Sequence, residues 1–281
     1  MSHNQLKTAV FLSLLSGLLL GAGWLMGGYQ GLTIGLIIAL VTNLGSYWFS
    51  DKIVLAIYRA KPADKTEYKY LHDMIEELAS KAHIPKPRIY IINSPQMNAF
   101  ATGRNPEHAV VACTTSILQH LTKDELKGVL GHELSHITNR DILISSIAAG
   151  IAAVISYIAF IARFAAIFGG GRDRDNNVLE LLVLAIITPI IATMLQLAIS
   201  RSREYLADSS GAKLTGHPEH LASALEKISG SVKAHPFEAH ASTTATAHLF
   251  ISNPFRVNAF LNLLSTHPPA EERIRRLRAM K

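Results

Sequence analysis

The sequence predicts a mainly α-helical chain with a small β-sheet and four transmembrane helices arranged in two hairpins. The first observation is composition: the 281 residues are 49% hydrophobic and 17% charged, whereas a soluble domain has roughly 25% charged residues. The second is that the apolar residues form four stretches of about 20 residues, the length that spans a bilayer. The third is that the polar stretch between the hairpins has helical and strand periodicity, which predicts a globular domain.

An N-terminal transmembrane hairpin is predicted for residues 1–50. No charged side chain lies between Lys7 and Asp51, and the break Gly27–Gly31 divides this apolar sequence into two spans. A cleavable signal peptide is the alternative for the first span, but the second span follows at once without a small-x-small cleavage site. Basic residues flank the hairpin and none lies in its loop, so we expect both of its ends in the cytoplasm.

A second transmembrane hairpin is predicted for residues 142–200. Its two apolar stretches, 142–168 and 178–200, are each long enough to cross a bilayer. Arg140 before the first stretch and Arg201 after the second favour the same orientation as in the first hairpin. Two arginines in the connecting loop weaken that assignment.

A cytoplasmic domain is predicted in two parts, residues 51–141 and residues 201–281. The first part has apolar residues at helical spacing, followed by runs rich in β-branched residues between turn signals. The sequence pattern of the second part predicts mostly helix. The expected elements of the first part are a helix at 71–82, strands at 88–92 and 108–113, and an edge strand or loop at 96–103.

A metal-binding helix is predicted next to the second hairpin. Thr122 and Glu125 form a capping box that begins the helix. His132 and His136 are four residues apart, so both project from one helix face and both imidazoles reach one tetrahedral ion at about 2.0 to 2.1 Å. Glu133 beside them is placed to take a proton from a zinc-bound water. The pattern arises by chance in roughly 3 of 100 similar chains, so two histidines alone do not establish the site. A catalytic zinc site also needs a third ligand, which must come from elsewhere in the chain.

The best candidate for the third ligand is Glu204, just after the second hairpin. Asp208 lies four residues on, on the same helix face, where it can accept the second N–H of a metal-bound histidine. The alternative is that both carboxylates balance Arg201 and Arg203 on a solvated face. A membrane hairpin would bring His136 and Glu204 to the same side at the same depth, which favours the ligand interpretation.

Several motifs carry a family resemblance: HELSH followed by NRD, SREYLAD, NAFATG and THPPAEERI, together with the four apolar spans. The chain resembles the HtpX family of bacterial membrane-bound zinc metalloproteases and, more distantly, the eukaryotic CaaX-prenyl zinc proteases. The resemblance implies a gluzincin-like protease domain with one Zn²⁺ per chain, facing the cytoplasm from the bacterial cytoplasmic (inner) membrane. It implies cleavage of misfolded or damaged membrane proteins, or of unfolded proteins, in membrane protein quality control and the stress response.

The resemblance also implies roles for single residues. The zinc ligands would be His132, His136 and Glu204, the catalytic base Glu133, and the carboxylate that orients a ligand Asp208.

Four further residues are candidates for substrate binding. Asn98 and Ala99 resemble the edge of the active-site cleft, where a substrate strand adds by backbone hydrogen bonds, although an ordinary loop turn is the alternative. Arg203 either stabilises a developing oxyanion or anchors a neighbouring carboxylate. His267 either acts at the site or caps the final helix.

Other function classes fit the sequence less well. The formal net charge of +6 follows from basic residues next to the spans, so we expect no nucleic-acid partner. The lone Cys113 excludes an intramolecular disulfide and is expected to be a small buried residue. An intramembrane protease would place His132 within an apolar run, but the preceding segment is polar. A zinc-binding scaffold or transporter would not need Glu133 and would require polar ligands within the spans.

Overall fold

The computed structural model of the protein describes residues 3–142, 201–234, 250–251 and 268–280. These ranges form the mainly helical fold with a small sheet that the sequence predicts. In chain order the elements are α1 (His3–Ile57), β1 (Lys61–Pro62), α2 (Lys69–Lys81), β2 (Arg88–Ile92), β3 (Ala99–Thr102), β4 (Val110–Thr114), α3 (Thr115–His120), α4 (Lys123–Thr138), α5 (Arg201–Thr215), α6 (Pro218–Ala234) and α7 (Ala270–Arg278).

Helix α1 consists of two helices joined by a kink at the predicted glycine break. Gly27 and Gly28 leave the helical conformation, and Gly28 has a φ of +54°, which a residue without a Cβ adopts readily. The two arms then approach so closely that a Cβ on Gly23 would collide with the carbonyl of Gly31. No helix in the described part of the chain combines the length and apolar character needed to cross a membrane. The second predicted hairpin lies outside the described residues except for its first residue.

The sheet has four strands in the order β1-β2-β4-β3. Strands β2 and β4 are parallel, with Arg88 opposite Val110, and they confirm the two predicted strands. Strand β3 runs antiparallel to β4 at the edge of the sheet, so the edge strand is the correct alternative for this segment. Cys113 is fully buried in β4, and burial raises the pKa of its thiol to about 12, as suits a small apolar residue.

Helix α4 lies at the centre of the helical packing, against α5 and α6. Glycines make this packing close, because a Cβ on Gly128 would lie 2.6 Å from the backbone nitrogen of Leu221 in α6. On α5, a Cβ on Gly211 would lie 2.7 Å from the backbone nitrogen of His132. Backbone contact between α4 and α5 therefore brings α5 next to His132.

The capping box predicted for α4 is present and also connects α4 to α6. The Thr122 side chain accepts the Glu125 N–H at 3.2 Å, and the Glu125 carboxylate accepts the Thr122 N–H at 2.8 Å. The same carboxylate accepts bonds from Ser223 at 2.6 Å and Lys227 at 2.8 Å. Burial alone would raise the pKa of Glu125, but these donors outweigh it and lower the pKa to about 2.

Candidate metal centre

The three predicted ligands converge between α4 and α5. The two Nε2 atoms of His132 and His136 are 3.2 Å apart. The Glu204 carboxylate lies 3.7 Å from Nε2 of His132 and 3.5 Å from Nε2 of His136. Within the described ranges these side chains form the group able to hold a metal ion, with one donor atom from each lying within 4.8 Å of the others.

The spacing of these donors suits a tetrahedral ion. Bonds of about 2.0 to 2.1 Å at tetrahedral angles place neighbouring donors about 3.3 Å apart, close to the separations found. Each Nδ1 atom lies beside a carboxylate, at Asp208 for His132 and at Asp141 for His136. If each Nδ1 carries the proton, two Nε2 lone pairs face each other at 3.2 Å. That approach is favourable when a proton on one Nε2 or a metal ion lies between them, so the residues present fit a metal ion.

The charge around the donors also favours a divalent cation. With the histidines neutral and all four carboxylates ionised, the buried groups next to the donors carry two more negative than positive charges. Burial lowers the pKa of His132. Burial also disfavours charge on His136, but the Asp141 hydrogen bond and the carboxylates of Glu204 and Glu133 raise its pKa to about 9. The buried charged groups counted here, those next to the donors, are Glu133, Glu204, Asp141, Asp208, Arg203 and Arg273.

Three side chains form what we call the inner arm of the site: His132, Asp208 and Arg273. Asp208 Oδ1 lies 2.9 Å from Nδ1 of His132, the partner predicted from helical spacing. Arg273 donates to both Asp208 oxygens, at 2.9 and 2.7 Å. Burial would raise the pKa of Asp208, but Arg273 outweighs it and lowers the pKa to about 2. The carboxylate is therefore charged, and it holds the imidazole with Nε2 facing the centre of the site.

Arg273 is the residue that the sequence reading missed. The sequence analysis assigned it no role, yet it is 1% exposed. Its Nη2 atom lies 3.4 Å from both ring nitrogens of His132, and Nη1 lies 3.5 Å from Glu204. A signal existed, because Leu277 lies four residues later on the same helix face and is also buried. That spacing places Arg273 on the buried face of the helix.

Glu133, the predicted base, is buried beside the three donors. Its Oε2 atom accepts the N–H of Ala101 in strand β3 at 2.9 Å. Burial raises the pKa of Glu133 to about 7, with a further rise from the charge of Glu204, while His136 acts in the opposite direction. A carboxylate with a pKa near neutrality is suited to exchange protons at physiological pH.

Sequence comparison identifies the family that carries this geometry. A profile of peptidase family M48 matches residues 65–281. The chain belongs to peptidase family M48. A protease HtpX homolog from Syntrophobacter fumaroxidans is 50% identical, with 99% of each chain covered. One from Pyrococcus furiosus is 52% identical over 97% of this chain and 94% of its own length. This M48 member is therefore a metalloprotease, and the predicted HtpX resemblance is confirmed.

Structural comparison agrees with the M48 fold. The crystal structure of S. mikatae Ste24p superposes with a TM-score of 0.56 at 18% sequence identity. The match covers 97% of this chain, which spans 65% of the length of Ste24p. At this identity the comparison shows that the two proteins share a fold.

Asn98 and Ala99, two predicted substrate-binding residues, are both buried at the start of β3. The Asn98 backbone N–H donates to the Thr114 hydroxyl at 3.0 Å, and its side-chain oxygen accepts the Ile251 N–H at 3.0 Å. Arg273 donates to the Ile251 carbonyl at 2.7 Å. The Asn98 amide oxygen therefore binds a neighbouring segment of this M48 chain.

The other two candidates for substrate binding are Arg203 and His267. Arg203 is buried, and its Nη1 atom lies 4.0 Å from the Asp141 carboxylate. Its Nε and Nη2 atoms have no hydrogen-bond partner within the described ranges. This placement favours the carboxylate-anchoring alternative for Arg203. His267 lies outside the described residues.

Proposed function

We propose that this M48 protease hydrolyses peptide bonds at one zinc ion held by His132, His136 and Glu204, with Glu133 as the general base. The observation that carries the proposal is the convergence of three donors around one point with a buried carboxylate beside them. Two histidines and one carboxylate form a typical catalytic zinc set, which leaves a position open for water.

Glu133 would move the protons of the reaction. When bound, zinc lowers the pKa of a coordinated water and polarises the scissile carbonyl. Glu133 accepts the proton of the attacking water and later donates it to the leaving amine. The Ala101 N–H holds one Glu133 oxygen at 2.9 Å, which leaves the other oxygen to face the water. A pKa near 7 suits both proton transfers.

Strand β3 would provide the substrate-binding edge of the cleft. It is an edge strand of the sheet and Ala101 of β3 contacts Glu133, so a peptide paired with β3 would pass the catalytic carboxylate. Asn98 and Ala99 begin this edge and are proposed to position the substrate. His267 is proposed to act near the site, and Arg203 keeps two proposed roles, at a developing oxyanion or beside a carboxylate.

The membrane would restrict the enzyme to nearby substrates. We propose transmembrane hairpins at 1–50 and 142–200 and a cytoplasmic protease domain built from 51–141 and 201–281. The proposed substrates are misfolded or damaged proteins of the bacterial inner membrane, cleaved in quality control and the stress response. Exposed apolar side chains on α1 support burial in lipid. They include Trp24, Tyr29, Ile34, Leu36, Ile37, Ile38, Leu40, Val41, Leu44, Trp48 and Phe49.

The test compares zinc content and cleavage of an unfolded membrane protein by full-length protein in detergent. Glu133→Gln should keep stoichiometric zinc and lose cleavage, because the amide cannot accept the proton. Glu204→Ala should lose both. Glu107→Gln, which alters an exposed carboxylate outside the site, is the matched control and should behave as wild type. Cleavage by Glu133→Gln at the wild-type rate would refute the role of Glu133 as the general base.

A further inference from the structure

We propose that Asp141 is a positioning residue for His136, holding the imidazole so that Nε2 faces the metal. The proposal rests on the proposed function, in which His136 is a ligand. With Arg203 behind it, Asp141 forms a second carboxylate–histidine pair, and we call His136, Asp141 and Arg203 the outer arm.

The turn at the end of α4 brings Asp141 back beside His136. Arg140 adopts a left-handed conformation with a φ of +59°. The Asp141 N–H donates to the His136 carbonyl at 2.9 Å, and the Arg140 N–H donates to the Ile137 carbonyl at 3.0 Å. These two bonds define a Schellman motif, which places the second residue beyond the helix next to the residue three positions before its cap. In this chain those two residues are Asp141 and His136.

The side chains at these two positions differ from the usual pair. A Schellman motif commonly ends with an apolar contact, whereas here Asp141 Oδ2 lies 3.4 Å from Nδ1 of His136. The Asp141 side chain is 5% exposed, and a buried carboxylate is stable only with polar partners. Its Oδ1 atom lies 4.0 Å from Arg203. The turn thus places a carboxylate between the imidazole and a guanidinium.

The position of Asp141 makes it an orienting group. It faces Nδ1, while Nε2 of the same ring faces His132 and Glu204. An Nδ1–H bond to the carboxylate would fix the tautomer that leaves the Nε2 lone pair for the metal, and would also restrict rotation of the ring. His132 has the same arrangement with Asp208. Both histidine ligands would therefore be oriented by a carboxylate on the side away from the metal.

The test measures zinc affinity of full-length protein in detergent by competition with a chromophoric chelator. Asp141→Ala should bind zinc roughly 10- to 100-fold more weakly, the usual effect of losing such a partner. Asp141→Asn should fall between Asp141→Ala and wild type, because its amide oxygen still accepts from Nδ1–H. The visible spectrum of the cobalt-substituted protein should change in the same order, since it reports ligand geometry.

Arg140→Gly is the matched control for the turn. Glycine adopts the left-handed conformation without strain, so the turn persists and the zinc affinity and cobalt spectrum should equal those of wild type. Unchanged affinity and spectrum in folded Asp141→Ala would overturn the proposal. It would also be overturned if zinc were lost only in proportion to a lower thermal midpoint of the metal-free protein.

Failure of the proposed function would give different results from failure of the Asp141 proposal. If wild type binds no zinc, or if His136→Ala retains wild-type affinity, His136 is not a ligand. If wild type binds one zinc, His136→Ala loses it and Asp141→Ala keeps it, only the role of Asp141 is refuted.

Discussion

The inner and outer arms of the metal centre orient their histidines with different tightness. In the inner arm the carboxylate lies 2.9 Å from the imidazole and accepts two bonds from its arginine. In the outer arm the corresponding distances are 3.4 and 4.0 Å. The His132 side chain is 1% exposed and that of His136 is 16% exposed. The inner arm is therefore dry and closely bonded, whereas the outer arm is looser and partly open to water.

The difference follows from how each arm is built. The inner arm joins three helices that are distant in sequence, so it forms only when α4, α5 and α7 are packed together. In the outer arm, one helix-terminal turn places the carboxylate beside its histidine. We therefore expect substitutions in the inner arm to change the free energy of unfolding and the metal affinity together. Substitutions in the outer arm should change metal affinity with less effect on stability.

The largest effect should come from Arg273→Met. This change leaves the buried Asp208 carboxylate without its guanidinium, and breaking a buried pair in this way costs about 3–5 kcal/mol. We expect a correspondingly lower free energy of unfolding and loss of stoichiometric zinc. Denaturant unfolding of the metal-free protein in mild detergent and zinc analysis check both expectations.

Arg275→Met provides the control on the same helix. The Arg275 side chain is 77% exposed and pairs only with Glu272 among the described residues, so its loss should cost less than about 1 kcal/mol. Equal stability of the two variants would contradict the structural importance of the inner arm.

The inner arm also shows where sequence reasoning stopped. His132, Glu133 and His136 follow from spacing on one capped helix, and Asp208 follows from its helical offset to Glu204. Arg273 does not follow, because its contact with Asp208 depends on how α7 packs against α5. That packing is decided by side-chain fit across the fold, which no local period encodes.

Acid should weaken the inner arm of the metal-free protein. The folded pKa of Asp208, about 2, lies below the unfolded value of about 3.9. Its contribution to stability is therefore complete above about pH 5 and is lost as pH falls toward 2. The shift corresponds to about 2–3 kcal/mol. The stability difference between wild type and Asp208→Asn should shrink by about that amount between pH 6 and pH 2.

Denaturant unfolding at a series of pH values measures this difference. Other carboxylates titrate in both proteins, so the subtraction isolates Asp208 together with its contact to His132. A difference that stays constant down to pH 2 would show that Asp208 is not held charged by Arg273.

A smaller effect is expected from Gly211→Ala, which should disturb the inner arm more than the outer arm. A Cβ on Gly211 would lie 2.7 Å from the His132 backbone nitrogen, so Gly211→Ala should displace α5 from α4. Overpacking costs about 1–3 kcal/mol, and the better helix propensity of alanine returns up to about 1 kcal/mol. Zinc affinity should fall because Glu204 and Asp208 lie on α5, whereas the His136–Asp141 contact is local and should persist.

Gly230→Ala on α6 is the matched control for this change. In the part of the chain that the structure describes, no atom lies within 4 Å of a Cβ added there, so the variant should be as stable as wild type or slightly more stable. If Gly211→Ala matches it in unfolding and zinc affinity, close contact between α4 and α5 does not set the site.

These glycines explain a second limit of the sequence reading. Glu204 was found from its place after the second hairpin, but its distance to the histidines could not be derived. That distance depends on two helices approaching at backbone contact, which requires small residues at matching positions of α4 and α5. A glycine in a helical sequence does not indicate which other helix will pack against it.

The smallest effect on stability should come from Arg203→Met in the outer arm. The change removes an ion pair at 4.0 Å, and it also removes two buried donor nitrogens without partners in the described region. These contributions have opposite signs, so we expect a net change below about 1 kcal/mol. Zinc affinity should fall less than about 10-fold, since Arg203 is not a ligand and contacts His136 through Asp141.

Kinetics of the same variant distinguish the two predicted roles of Arg203. Anchoring Asp141 predicts that kcat falls little once zinc is saturating. Stabilising a developing oxyanion predicts a kcat loss of about 100- to 1000-fold with zinc affinity unchanged. Arg203→Lys sharpens the test, because lysine keeps the positive charge without the planar fork of donors. Full activity in both variants at saturating zinc would place Arg203 outside the reaction and leave it to the outer arm alone.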